Sequence, residues 1–112
     1  MVDTRPLIAL VASIAAPVAL AADAVVESER QAHEIRARQA LRAAQVELYC
    51  DHDARAHAVL QLARRELQAA AGDASGRGLA ALDRAVWQMR LHDTRGAVAA
   101  LDDAIEGLPP PT

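Results

Sequence analysis

Hydrophobic residues in the second half of the chain recur at helical spacing in two blocks, which a short polar segment separates. Residues 79–89 and residues 98–108 both place their apolar side chains at i, i+3, i+7 and i+10. That spacing puts each block on one face of an α-helix. In the polar segment 92–94, Asp93 or Thr94 is a typical acceptor for the free N–H groups that open a helix. The sequence therefore predicts an antiparallel helical hairpin.

The first half of the chain has the same organisation in a less regular form. Residues 23–49 have a loosely amphipathic helical pattern, and a polar segment at residues 50–53 interrupts it. A second apolar stripe follows at residues 59–70 and predicts another helix. The glycine-rich segment 72–78 then breaks the pattern, and its composition predicts a flexible loop.

The two halves match each other as an internal repeat. Apolar residues of the first predicted helix match those of the third at an offset of 41, as Leu41 matches Leu82. Residues of the second helix match the fourth at an offset of 38, as Leu67 matches Ile105, which predicts three extra residues in the first polar segment. Two such hairpins close their apolar stripes into an up-down-up-down antiparallel four-helix bundle. We expect this all-α bundle to span residues 22–108 and a Pro-rich tail to follow at residues 109–112.

The first 21 residues are typical of a secretory signal peptide. Arg5 precedes an apolar run over residues 7–20, and the small residues Ala19 and Ala21 suit a cleavage site after Ala21. Export would place the mature protein in the periplasm or outside the cell. The alternative is an uncleaved membrane anchor, because the apolar segment extended through Val26 approaches the ~20 residues that span a bilayer.

The composition and charge of the chain argue against two classes of function, nucleic-acid binding and catalysis. The net charge is −3 with both signs interspersed, and aromatic residues make up 2% of the chain. A basic surface and aromatic stacking platforms are therefore absent from the sequence pattern, which argues against nucleic-acid binding. The sequence also shows no nucleophilic side chain beside a base that would activate it, and the spacing of its acidic residues implies no buried carboxylate pair. We therefore expect a protein that is not an enzyme.

Candidate metal ligands cluster at the first polar segment. If the helix runs through it, Cys50, Asp53 and His57 lie at i, i+3 and i+7 on one face, where their side chains suit Cu or Zn. If the segment is a turn, Cys50 and His52 lie together, and His92 of the equivalent segment lies near the same end of the bundle. The predicted metal site is drawn from these five residues. The alternative is that the aspartates cap helices and the histidines are ordinary surface groups.

The order of signal peptide, hairpin, glycine-containing loop and second hairpin resembles the small periplasmic metal-binding proteins, which are short His-rich four-helix bundles. The likeness is strongest in GLAALDRAV at residues 78–86, which resembles that family's third-helix opening, and in DAIEGL at residues 103–108, which resembles its close. It covers about residues 29–108. The resemblance implies binding of copper or other divalent metals. That family uses many histidines, however, and this chain has four, at positions 33, 52, 57 and 92.

A second functional prediction is a helical interaction or assembly module without a metal site. The last predicted helix resembles the latter half of a tetratricopeptide repeat at Asp93, Ala97, Leu101, Ala104, Ile105 and Pro109. The first half of that repeat fits poorly, so the likeness supports the hairpin more than a peptide-binding groove. Such a module would use an apolar stripe, the lone Trp87, or the unpaired Cys50, through which a homodimer would form. We expect Trp87 mainly to seal an edge of the bundle, with an interface role as the alternative.

Overall fold

The described part of the chain folds into four α-helices. The computed structural model describes the backbone of residues 5–110 and the side chains of residues 21–110. The helices are α1 (Arg5–Tyr49), α2 (Asp53–Ala70), α3 (Asp73–Arg90) and α4 (Thr94–Gly107). Helix α1 packs against α2 and α4, and α3 packs against the same two helices, so the four run up, down, up and down. The predicted antiparallel four-helix bundle of two helical hairpins is confirmed.

The core of the bundle consists of leucines separated by alanines. Every helix contributes at least one leucine that is fully or almost fully buried, and the alanines between them let the helix axes approach closely. Each buried leucine stabilises the fold by about 1.5–3 kcal/mol relative to an exposed one. The leucines are Leu41, Leu48, Leu60, Leu67, Leu82 and Leu101.

The internal repeat has one offset throughout, in contrast to the two offsets that the apolar pattern predicts. Helices α2 and α4 begin at Asp53 and Thr94, and the buried Leu60 and Leu101 are equivalent, so the offset of 41 also holds in the second half of each hairpin. The predicted offset of 38 and the three extra residues in the first polar segment are wrong. A shift of three residues is close to one helical turn. The apolar face alone therefore does not distinguish the two registers.

The predicted flexible loop at residues 72–78 is also wrong, because α3 begins at Asp73 and only Ala71 and Gly72 separate it from α2. The third helix thus opens before Gly78, where the family resemblance places its start. Gly78 is buried, and a Cβ added to it would lie 3.3 Å from Leu67 Cδ2. This glycine lets α3 approach α2 closely, so packing overrides the low helix propensity of the segment.

Helix α1 is longer than the pattern predicts. It begins at Arg5 and not near Asp23, and Pro17 does not interrupt it. The side chains of residues 21–31 are all exposed, and Glu34 is the first buried one among the described side chains of the helix. We call residues 21–31 the α1 extension, because they lie beyond the buried part of the bundle.

The predicted signal peptide falls mainly on residues 1–20, whose side chains lie outside the described ones, so export and cleavage after Ala21 stay predictions. Among the residues that the structure describes, no helix is long and apolar enough to cross a membrane. The apolar run at residues 7–20, on which the alternative of a membrane anchor depends, also lies outside the described side chains.

Candidate functional site

Both hairpin turns lie at one end of the bundle and have the same backbone geometry. The first turn contains Asp51 with φ 58° and the second contains His92 with φ 56°. In the first, Asp51 N–H donates to Leu48 O over 3.1 Å and His52 N–H donates to Glu47 O over 2.8 Å, the pattern of a Schellman motif. The second turn repeats these bonds at residues 88–93.

The first turn ends α1, so the helix does not run through it. The prediction that Cys50, Asp53 and His57 share one continuous helical face is therefore wrong. The left-handed residue at position 51 reverses the chain direction, and Asp53 starts a new helix whose axis runs antiparallel to α1. The alternative arrangement, with a turn in each hairpin at the same end of the bundle, is the one observed.

A cavity of about 200 Å³ lies between the two turns. We call it the end cavity, and its walls are Leu48, Asp51, Asp53, Met89, His92, Asp93 and Thr94. Two of the predicted ligands, Asp53 and His92, thus reach one site from different hairpins. Asp93 is already engaged, because its Oδ1 accepts the Gly96 N–H at 2.9 Å and caps α4. Three carboxylates and one imidazole give the end cavity a negative electrostatic character.

The other three predicted ligands lie outside the end cavity. His57 is further along α2 and lines a neighbouring cavity together with Asp53 and Met89. His52 Nδ1 lies 2.8 Å from Glu47 Oε2, and Cys50 is exposed on the turn. No group of three His, Cys, Asp or Glu side chains within the described part of the chain is placed to hold a metal ion.

The end cavity also contains Asp51, Met89 and Asp93, which the sequence did not predict as ligands. The repeat carries the signal that would have found two of them. An offset of 41 aligns Asp51 with His92 and His52 with Asp93, so each turn brings a matching pair to the same end of the bundle. Met89 is equivalent to the core residue Leu48, and both residues line the end cavity.

Trp87 on α3 and Leu91 at the C-cap of α3 form a second candidate site. They are spaced i, i+4 on one side of the helix, and each is 57% exposed. Trp87 borders a groove against His57, Gln61 and Arg64 of α2. It therefore lies at the edge of the bundle, as expected, but more than half of its surface is accessible to a partner.

A polar contact joins α1 to α2 near the opposite end of the bundle. His33 Nδ1 lies 2.6 Å from Glu66 Oε2, and Arg36 Nε lies 3.1 Å from Glu66 Oε1. The hydrogen bond with His33, followed by the Arg36 guanidinium, lowers the pKa of the Glu66 carboxyl from its ordinary value of 4.5. The histidine that stood alone in the sequence is thus part of an interhelical pair.

Arg38 ties the C-terminal tail to α1. Its Nη2 donates to the carbonyl oxygens of Pro109 at 2.5 Å and Leu108 at 3.4 Å, where α4 ends. Arg30 Nε lies 4.0 Å from the buried Glu34 carboxylate. The i, i+4 spacing of Glu34 and Arg38 suits a surface ion pair. The guanidinium of Arg38 instead donates its hydrogen bonds to the carbonyl groups of Leu108 and Pro109.

Comparisons of the chain with family models, with curated proteins and with solved structures find no significant match.

Proposed function

We propose that this protein is a non-catalytic helical interaction module whose binding surface is centred on Trp87 and Leu91. The observation that carries the proposal is the exposure of these two apolar side chains, spaced i, i+4 at the C-terminal end of α3. Exposed apolar side chains that adjoin one another mark interaction sites more often than isolated ones do. Tryptophan is also among the residues that most often dominate binding energy at protein interfaces.

The surroundings of this pair have the anatomy of a small interface. Arg64 Nη2 donates to Asp83 Oδ1 over 2.6 Å beside Trp87, and Arg90 borders the same groove. An apolar centre with a charged rim is typical of protein-binding surfaces. The partner that fits is a protein surface with an apolar pocket for an indole ring, flanked by groups that pair with arginine and aspartate.

Fluorescence of the lone tryptophan tests this proposal directly, because Trp87 is the only indole in the chain. We expect its emission to shift to shorter wavelength when the purified protein is added to an extract of its native compartment, and Trp87→Ala to abolish co-migration with the partner. Leu62→Ala is the matched control, because Leu62 is 53% exposed on α2 outside this surface. Unchanged emission in the extract, together with a single monomeric mass, would contradict the proposal.

A second candidate function is transition-metal binding at the end cavity of an exported protein, as the resemblance to the small periplasmic family implies. The observation that favours it is that Asp51, Asp53 and His92 line one cavity together with Met89. Their side chains would have to turn toward the ion on binding, because the described residues hold no group already placed to bind one. Carboxylate oxygens, imidazole nitrogens and thioether sulfurs are all ligands of Cu or Zn in proteins. Export would deliver the mature chain, beginning at Ala22, to the compartment where it would buffer the ion.

Elemental analysis of the mature protein, purified under reducing conditions, tests the second candidate. We expect about one Cu or Zn per chain, the capacity of a single site. Loss of the metal in the double variant Asp53→Asn/His92→Gln would assign the metal site to the end cavity. Loss of the metal in Cys50→Ser/His57→Gln would instead assign the site to the residues that the sequence favoured. His33→Gln is the control. Metal-free protein at micromolar metal would eliminate this function, and an intact mass that includes residues 1–21 would contradict export by cleavage.

A further inference from the structure

The linker between the two hairpins is short and strained. Helix α2 ends at Ala70 and α3 begins at Asp73, so Ala71 and Gly72 alone reverse the chain. Ala71 has φ 57° and ψ −178°, and Gly72 has φ 91° and ψ 173°. This region of backbone space is populated almost only by glycine, so the alanine is held in a conformation that its side chain disfavours. Folding the chain back on itself therefore stores strain at Ala71.

The sequence around the linker favours a straight helix. Residues 69–71 are three consecutive alanines, the residue type with the highest helix propensity. Gly72 is the one residue of the linker that disfavours helix. If Ala71 and Gly72 became helical, α2 and α3 would merge into one helix, and the second hairpin would move away from the first.

The faces that the hairpins bury against each other are nearly alike. At an offset of 41, Leu41 and Ala44 are equivalent to Leu82 and Ala85, and all four are buried. The hairpins are joined by covalent chain only at the linker, which lies at the end of the bundle opposite the turns. A hairpin released by straightening the linker would expose this face, and the complementary face on another copy of the chain is an apolar surface of the same shape.

We infer that the hairpin faces are also the interface for a second copy of this chain, reached by straightening the Ala71–Gly72 linker. In the resulting dimer, the first hairpin of each copy packs on the second hairpin of the other. All core contacts of the monomer are kept, and the strain at Ala71 is released. This exchange does not use Trp87 or Leu91, so it is independent of the proposed interaction surface.

The inference is tested by refolding the full chain from denaturant at high protein concentration and separating the products by size with mass measurement, in the presence of reductant so that Cys50 forms no disulfide. We expect Gly72→Ala to raise the dimer fraction at least tenfold over wild type and Ala71→Gly to lower it. An added Cβ at Gly72 would meet no atom within 4 Å, so this substitution acts only through the backbone.

Gly76→Ala is the matched control. Gly76 is exposed in α3, and a Cβ added there also meets nothing within 4 Å, but its backbone is helical. The same substitution thus raises helix propensity without straining the linker, and we expect the wild-type dimer fraction. A Trp87→Ala/Gly72→Ala double variant separates exchange from association through the outer surface, because it stays dimeric only if the hairpin faces form the interface.

Deletion of Gly72 is the second variant, since one remaining residue cannot reverse the chain. We expect a dimer with native helix content that does not dissociate on dilution until it is unfolded, as exchange of whole hairpins requires. Three results would each overturn the inference. The Gly72→Ala variant could stay monomeric, the dimer could dissociate into monomers on simple dilution, or the Gly72 deletion could lose its helical structure at all concentrations.

Discussion

Three polar side chains are buried in the bundle, and they differ in how their hydrogen-bonding capacity is met. Gln45 Nε2 donates to Val98 O at 3.2 Å and to Asp102 Oδ1 at 2.7 Å, which joins α1 to α4. The Oε1 atom of Glu34 lies 4.0 Å from Nε of Arg30. Ser75 is only 1% exposed, and its Oγ has no hydrogen-bond partner among the described residues. A buried hydroxyl without a partner destabilises the fold, so Ser75 is a position where the core loses stability.

Replacing Ser75 by alanine should therefore stabilise the protein. We expect Ser75→Ala to raise the free energy of unfolding by about 1–2 kcal/mol, from removal of the unpaired hydroxyl and a gain in helix propensity. Urea denaturation measures the change. Ser28→Ala on the exposed part of α1 is the control, because it gains propensity without any change in burial. A destabilised Ser75→Ala variant would show that the hydroxyl has a partner in solution.

The hairpin turns set the register between the two helices of each hairpin. Each ends with a residue in the left-handed region, Asp51 and His92, where glycine is the usual choice. Asp and His adopt this conformation more readily than most residues do, but less readily than glycine. The Schellman hydrogen bonds of both turns therefore form at a cost in backbone strain.

Glycine at either turn should relieve this strain. We expect Asp51→Gly and His92→Gly each to raise the free energy of unfolding by about 0.5–1 kcal/mol, as chemical denaturation would show. Ala43→Gly, at an exposed position inside α1, should instead lower it by about 1 kcal/mol. If the turn variants lost as much stability as this helical control, the left-handed geometry of the turns would be refuted.

The contact of α1 with α2 depends on pH through Glu66. Because His33 and Arg36 lower the pKa of Glu66 in the folded protein, the ionised carboxylate stabilises the folded state above its unfolded value of 4.5. This contribution is lost as the pH falls through the lower folded pKa. It is moderate, because the Glu66 side chain is partly accessible to water.

We expect Glu66→Gln to lower the free energy of unfolding at neutral pH by up to about 1 kcal/mol, and the difference from wild type to vanish at strongly acidic pH. Denaturation at a series of pH values measures it. Glu29→Gln on the α1 extension should give no difference at any pH. A Glu66→Gln deficit that stays constant into acid would mean that packing and not charge joins these helices.

At the scale of the whole molecule, the α1 extension lies outside the packed bundle. The side chains of residues 21–31 are exposed, whereas Glu34 and Ala37 are buried between the other helices. An isolated helical segment of this length contributes little to stability by itself. The packed domain thus starts close to His33, where α1 first contacts α2 through Glu66.

Truncation tests this division. Relative to a chain that starts at Ala22, a chain that starts at Glu29 should keep the free energy of unfolding to within about 0.5 kcal/mol, because the side chains of residues 22–28 are all exposed. A chain that starts at Ala37 loses Glu34, His33 and Arg36, and should be less stable by more than about 1 kcal/mol. Equal losses for both truncations, measured by thermal and urea unfolding, would show that the extension folds with the bundle.

The sequence by itself determined the helical class, the two hairpins and most of the buried face, because apolar spacing reports which side of a helix meets other helices. Leu41, Leu82 and Leu101, all on predicted stripes, are buried. It also indicated Asp93 or Thr94 as the cap of α4, since capping depends on residues three apart in the chain, and Asp93 is the residue that caps the helix.

Only the tertiary structure decided the repeat register, the start of α3 and the membership of the end cavity. The register follows from two left-handed turn residues, and α3 opens early because Gly78 packs on Leu67. Asp53 and His92 come together because two separate hairpins place their turns at one end. Contacts between residues distant along the chain fix these features, and local spacing carries no information about such contacts.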